Sequence, residues 1–132
     1  MHKIKRPIIF ILISAAIIGI LAFACYLNDV SNYKKAVADI TYADIDIANI
    51  PDGVYDGAYD VGYISAKVEV LINNGTIEKI NLIEHKNEKG SAAEVITDNI
   101  IQEQKIDVDA ISGATNSSRV IKKAVENALI QK

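Results

Sequence analysis

The apolar and polar positions along the chain fall into one continuous apolar run and a patterned remainder. No charge occurs from Ile8 to Leu27, and only Ser14, Gly19, Cys25 and Tyr26 depart from plain hydrocarbon. About 20 apolar residues suffice for a helix to cross a bilayer core. After the run, Val30, Tyr33, Val37 and Ile40 recur at three- and four-residue steps, which predicts a short helix. This stretch holds too few heptads for a sustained coiled coil and reads as a spacer. Pro51-Asp52-Gly53 is turn chemistry and opens the folded part.

Val54 to Tyr59 then reads as a first strand, with Tyr55, Gly57 and Tyr59 on one face. The glycine between two tyrosines either leaves a slot for a flat ring or marks a bulge or packing gap. Ala66, Val68, Val70 and Ile72 alternate with Lys67, Glu69 and Leu71, as in a strand with one buried face. Asn73-Asn74-Gly75 supplies a hairpin turn, because Asn-Gly readily takes positive φ. The return strand runs from Thr76 to about Glu84. Its apolar phase slips by one residue between Ile77 and Ile80, which predicts a bulge or an offset in that strand.

A polar loop, 84–90, leads to a helix over about Ser91–Glu103 with Ala92, Val95, Ile96 and Ile100 on its apolar stripe. Lys105 to Asp109 is a short connector. The best-patterned element is a last helix over about Ser117–Ile130. Val120, Ile121, Ala124, Val125, Ala128 and Leu129 form its buried stripe, and Arg119, Lys122, Lys123, Glu126 and Asn127 take the other side. The expected fold class is α+β: a small, mainly antiparallel sheet with two helices packed on one side, preceded by one transmembrane helix. The expected divisions are a basic cytoplasmic end (1–7), an anchor (8–27), a stalk (28–50) and a folded domain (51–132).

Charge orients the membrane segment. Lys3, Lys5 and Arg6 precede the apolar run and Asp29 follows it. The basic end should stay cytoplasmic, leaving the domain extracytosolic on a single pass. The run is longer than the h-region of a cleaved signal, about 7–15 residues, which favours an uncleaved anchor. Ala22-Phe23-Ala24 nevertheless fits a small-x-small cleavage site, and Cys25 directly after it fits a lipoprotein signal imperfectly, for want of a leucine three residues earlier. Cys25 is otherwise an apolar filler. Residues 28–132 hold 11 basic and 17 acidic side chains, a formal charge of −6. Such a surface argues against nucleic acid as a partner. One cysteine allows neither an internal disulfide nor a thiol redox pair, so redox work would need a bound cofactor.

The candidate chemistry gathers at Asp109-Ala110-Ile111-Ser112-Gly113-Ala114-Thr115, followed by Asn116-Ser117-Ser118. A helix N-terminus has unpaired backbone N–H groups and a partial positive charge, and so receives phosphate. Ser112, Thr115, Ser117 and Ser118 add hydroxyls, while Gly113 and Ala114 permit close approach. From the residues alone this is an anion or phosphate-ester site. A plain turn, with Asn116 or Ser117 capping the last helix, is the other reading. His85, the single histidine of the outer domain, either serves a ligand or is solvated. One histidine without a cysteine partner lacks metal-site spacing, so no metal ligands are assigned.

The stretch from Asp109 to Thr115 resembles the flavinylation motif of the FMN-binding domain family, Asp-x-x-(Ser/Thr)-Gly-Ala-(Ser/Thr). Its five defined positions arise by chance in roughly one chain of this length in a thousand. The resemblance extends to Glu84-His85, Gly90 and Ala93-Glu94 ahead of the first helix of the domain, and covers Asp52 to Leu129. It implies FMN held by a phosphoester on Thr115, with Asp109, Ser112, Gly113 and Ala114 as the recognition frame. Asn116 and Ser117 lie at the helix start, and His85, if not simply solvated, is a candidate to hydrogen-bond the flavin or to assist proton movement on its reduction. It also implies a flavin transferase that uses FAD and Mg²⁺ for attachment, and a membrane electron donor such as a quinol dehydrogenase. An electron carrier is expected rather than a stand-alone enzyme; a non-redox or noncovalent binding module and a flavin-dependent reductase are the alternatives.

Overall fold

In the computed structural model, residues 5–87 and 90–130 are described; Lys3 of the basic end and Glu88 and Lys89 of the polar loop lie outside them. The apolar run is part of one helix, α1 (Lys5–Ala38), which continues unbroken past Leu27. Residues 8–27 are exposed throughout. Among the described residues this is the helix long and apolar enough to cross a membrane, a property that signal sequences share.

The chain forms two compact units, one ending at Asn32 and one beginning at Tyr33. The second is α+β, as the pattern predicts. Strands β1 (Gly53–Asp60), β2 (Ser65–Asn73) and β3 (Thr76–Lys86) make an antiparallel meander in the order β1-β2-β3. Helices α2 (Ile96–Glu103) and α3 (Thr115–Leu129) cover one face, α2 over β3 and α3 over β1 and β2. The alternating residues Ala66, Val68, Val70 and Ile72 are all buried, as their spacing requires. Asn74 and Gly75 both take positive φ, 53° and 72°, which is the two-residue hairpin turn expected from Asn-Gly.

The expected bulge is present: Leu71 pairs with Lys79 but Ile72 with Ile77, leaving Glu78 as the extra residue. The Gln104 side chain serves this place. Its Oε1 accepts the Ile77 N–H at 2.7 Å and its Nε2 donates to the Ile77 carbonyl at 2.8 Å. A second bulge follows, where Lys67 pairs with Glu84 but Val68 with Leu82. It throws Ile83 outward and turns His85 to the inner face, opposite Ala66. His85 therefore ends a strand rather than sitting in the polar loop.

Two other expectations change. The first helix of the domain opens as a 3₁₀ turn, Ser91–Val95, before becoming α-helical. Three residues per turn bring Ala93 and Ile96 into line, so Ala93 is buried while Ala92 and Val95 face solvent. The polar side of α3 is not a solvated face either. Lys122 and Glu126 are buried, because residues 33–50 pack with the domain instead of standing off from it as a free spacer. Arg119 donates to the carbonyls of Val37 and Ala38 at 3.4 and 3.3 Å, Lys123 to that of Thr41 at 3.0 Å, and the Tyr42 hydroxyl to the Arg119 carbonyl at 3.0 Å. Val37 itself is fully buried in the core.

Gly57 settles the question of the tyrosine slot. A Cβ there would lie 2.1 Å from the Ala124 carbonyl oxygen and 2.4 Å from the Ala128 nitrogen. The gap is filled by the backbone of α3, and no flat ring can enter it.

Candidate functional site

The connector to α3 alternates: Ile106 and Val108 are buried, while Asp107 and Asp109 are exposed. Lys122 pins it from below, its Nζ donating to the Val108 carbonyl at 2.8 Å and to Asp107 Oδ1 at 3.1 Å. The chain then turns sharply. The Ala114 N–H donates to the Ile111 carbonyl at 3.0 Å, and Gly113 has φ +81°. A positive φ at the third residue of such a turn is the conformation that favours glycine.

Ser118 locks this turn onto the helix. Its hydroxyl accepts the Ile111 N–H at 3.0 Å and donates to the Ala114 carbonyl at 2.8 Å, and the residue is fully buried. The helix begins at Thr115, two residues earlier than the pattern predicts. Asn116 and Ser117 lie inside its first turn, so neither is the cap. The capping position falls on Ala114, which has no side chain to accept a hydrogen bond. The first helical bond runs from the Ser118 N–H to the Ala114 carbonyl at 3.0 Å. The N–H groups ahead of it are those that a helix leaves unpaired.

A cavity of about 380 Å³ opens on this turn, a size within the range of small-molecule sites. Its floor is Gly113, Ala114, Thr115, Asn116 and Ser117; Gly90, Tyr33 and Ile64 complete it. Thr115 is exposed at the rim and Asn116 is half-buried. Ser117 is buried under Gly90, and among the described residues its Oγ has no hydrogen-bond partner. Among the described residues no charged side chain lines the cavity. The positive end of α3 is an electrostatic feature that an anion would meet there.

The remaining residues named from the sequence lie elsewhere. Ser112 is exposed on the turn without lining the cavity. Asp109 lines a separate depression with Tyr42, Arg119 and Lys122. His85 does not line the cavity: its side chain is 2% exposed, and Nδ1 lies 3.1 Å from Glu94 Oε1. Its link to the site runs through Asn87, whose Nδ2 is 3.4 Å from His85 Nδ1 and whose Oδ1 accepts the Gly90 N–H at 2.9 Å. Two residues that matter here were not singled out as site residues from the sequence. Ser118 gives only the signal of a fourth hydroxyl in the run. Tyr33 belongs to a stretch read as spacer, and nothing in its spacing points to a cavity beside residue 115.

These features suit a phosphate ester of a flat heterocycle. The Thr115 hydroxyl is exposed, the free N–H groups of a helix start lie beside it, the Ser117 hydroxyl is buried nearby, and the cavity alongside is mostly apolar. A protein of Treponema pallidum (strain Nichols), named only as uncharacterized, is 32% identical over 87 residues, 64% of this chain and 24% of its own. The chain thus spans about a quarter of that relative's length. No solved structure matches. The family model of the FMN-binding domain matches residues 62–130, a segment that runs from the turn before β2 to the end of α3 and contains every floor residue of the cavity, and the chain belongs to that family.

Proposed function

We propose that this chain is a membrane-anchored extracytosolic flavoprotein that carries FMN covalently on Thr115 and passes electrons from a membrane donor to another carrier. The observation that carries the reading is the place of Thr115: an exposed hydroxyl on the first residue of α3, at the rim of the cavity. The FMN-binding family supports flavin as the ligand. The motif from Asp109 to Thr115 supports the covalent form.

The residues divide the work. Thr115 would supply the oxygen that bonds to the FMN phosphorus as the pyrophosphate bond of FAD breaks, AMP leaving with the hydroxyl proton. Asp109, exposed and away from the cavity, is available to the transferase and its Mg²⁺ during attachment. The N–H groups at the start of α3 offset the one negative charge left on the ester. Gly113 and Ala114 keep the approach open, and Ser118 holds the turn that presents Thr115. When bound, FMN supplies one- and two-electron chemistry, while the protein positions the ring and limits its exposure to water. Outside the cytoplasm there is no flavin pool to replace a lost cofactor, which gives the tether its purpose. The apolar helix supports a membrane setting, and so a donor such as a quinol dehydrogenase.

The test is intact mass after co-expression with a flavin transferase. Covalent FMN adds roughly 438 Da, one FMN less water. The addition should vanish in Thr115→Ala while the domain stays folded. A bare mass, with the transferase active on a control substrate, would replace this reading with a noncovalent binding module.

A further inference from the structure

We propose that Tyr33 is the aromatic face against which the flavin ring lies, so that the juxtamembrane segment forms part of the cofactor site. The inference rests on the reading of Thr115 as the FMN carrier.

Three observations lead to it. Among the described residues, Tyr33 is the one aromatic side chain that lines the cavity beside Thr115. Its ring packs against Tyr63, with centroids 5.1 Å apart and planes tilted by 55°. The main chain that follows it is fixed as well, because Val37, one turn on, is fully buried and Arg119 holds the Val37 and Ala38 carbonyls. A phenol ring held in this way is a preorganised surface for a flat heterocycle. Offset or tilted contact between π-systems stabilises by about 0.5–1.5 kcal/mol beyond the area buried. The other lining residues offer hydroxyls, an amide, small side chains and one isoleucine, none of which can stack. An ester on Thr115 delivers its ring into the volume that these residues share with Tyr33. Tyr33 lies 29 residues before the matched family segment, so this contact is supplied by the C-terminal end of α1 itself.

A stacked phenol quenches flavin emission by donating an electron to the excited ring, and it makes reduction of the ring harder by contributing electron density. Phenylalanine keeps the shape but is a far poorer donor. The experiment uses the full-length chain, flavinylated in membranes and solubilised. Flavin load is read by intact mass, and emission per bound flavin and midpoint potential are measured for wild type, Tyr33→Phe, Tyr33→Leu and Tyr63→Phe. Emission per flavin should rise several-fold in Tyr33→Phe and again in Tyr33→Leu, with the potential moving upward, and Tyr63→Phe should stay close to wild type. Full flavin load with emission and potential unchanged in both Tyr33 variants would overturn the proposal. So would a rise confined to Tyr63→Phe. Wild-type protein without added flavin mass would instead overturn the Thr115 reading, which keeps the two failures apart.

Discussion

Gly90 and Ser117 meet so closely that a methyl group on Gly90 would lie 2.0 Å from the Ser117 hydroxyl oxygen and 2.6 Å from its Cβ. The loop before the 3₁₀ turn is thereby pressed onto the first turn of α3, and Asn87 holds it there through the Gly90 N–H. Gly90→Ala should cost about 1–3 kcal/mol, as overpacking does. It should also lower flavin loading, since the cavity wall and floor must part. Because the obstacle is a side chain, Ser117→Gly in the same protein should recover much of the stability. Thermal unfolding of the two single variants and the double variant tests this; additive losses would refute the contact.

Ser118 is the residue that a hydroxyl-rich motif conceals most effectively. It makes two hydrogen bonds from a fully buried position, while Thr115, three residues earlier, is exposed and, among the described residues, no side-chain hydrogen bond from it fixes the turn. Ser118→Ala should lose about 1–3 kcal/mol, because two hydrogen bonds go and the half-buried Ile111 N–H is left without its acceptor. Thr115→Ala should leave stability close to wild type. Urea denaturation of the unflavinylated proteins separates the two; equal losses would contradict the assigned division between structure and attachment.

The sheet and the motif were legible because both write themselves locally. Alternation over Ala66–Ile72, Asn74-Gly75 and the phase slip after Ile77 each involve neighbours in sequence, and the structure follows them. What was not legible depends on distant partners. Lys122 and Glu126 read as solvent-facing because the covering segment, Val37 to Tyr42, comes from some 80 residues earlier, and much of what holds it, the carbonyls of Val37, Ala38 and Thr41, is backbone and carries no sequence signature. The inward turn of His85 escaped for a related reason. It depends on the bulge at Ile83, and an apolar residue thrown outward looks like continued strand. At the site, the floor could be read from the motif, whereas Tyr33 and Gly90 reach it only through the fold.

Gly57 sets the distance between α3 and β1. Its missing side chain faces Ala124 and Ala128 backbone atoms at 2.1 and 2.4 Å from an added Cβ, and no rotamer change can relieve a clash with backbone. Gly57→Ala should therefore cost more than a side-chain clash would, about 3 kcal/mol or more. It should also cost more than Gly90→Ala, with α3 forced off the sheet. Comparing the two by chemical denaturation tests the ranking. Parity, or a smaller loss at Gly57, would mean that the helix does not rest on that glycine.

Tyr42 gives the domain an alkaline limit. Burial pushes its phenol well above the usual tyrosine range; the Arg119 guanidinium pulls the other way by less, and the Asp107 and Glu126 carboxylates and Tyr59 add smaller upward pushes. The neutral hydroxyl donates to the Arg119 carbonyl at 3.0 Å, and the ring carries the Lys122 ammonium 4.5 Å from its centroid. In the unfolded chain the phenol ionises near pH 10. The folded state therefore holds its proton where the unfolded state has lost it. This contribution is complete below about pH 10 and is lost progressively as pH rises above it. Stability measured by urea denaturation should hold steady from pH 8 to 9.5, as far as this group contributes, and decline from about pH 10 upward. Tyr42→Phe removes the titrating group along with one hydrogen bond. It should start about 1 kcal/mol less stable at neutral pH and show a shallower alkaline decline. The same alkaline slope in wild type and Tyr42→Phe would assign the decline to another group and show that the Tyr42 phenol is not held neutral by its surroundings.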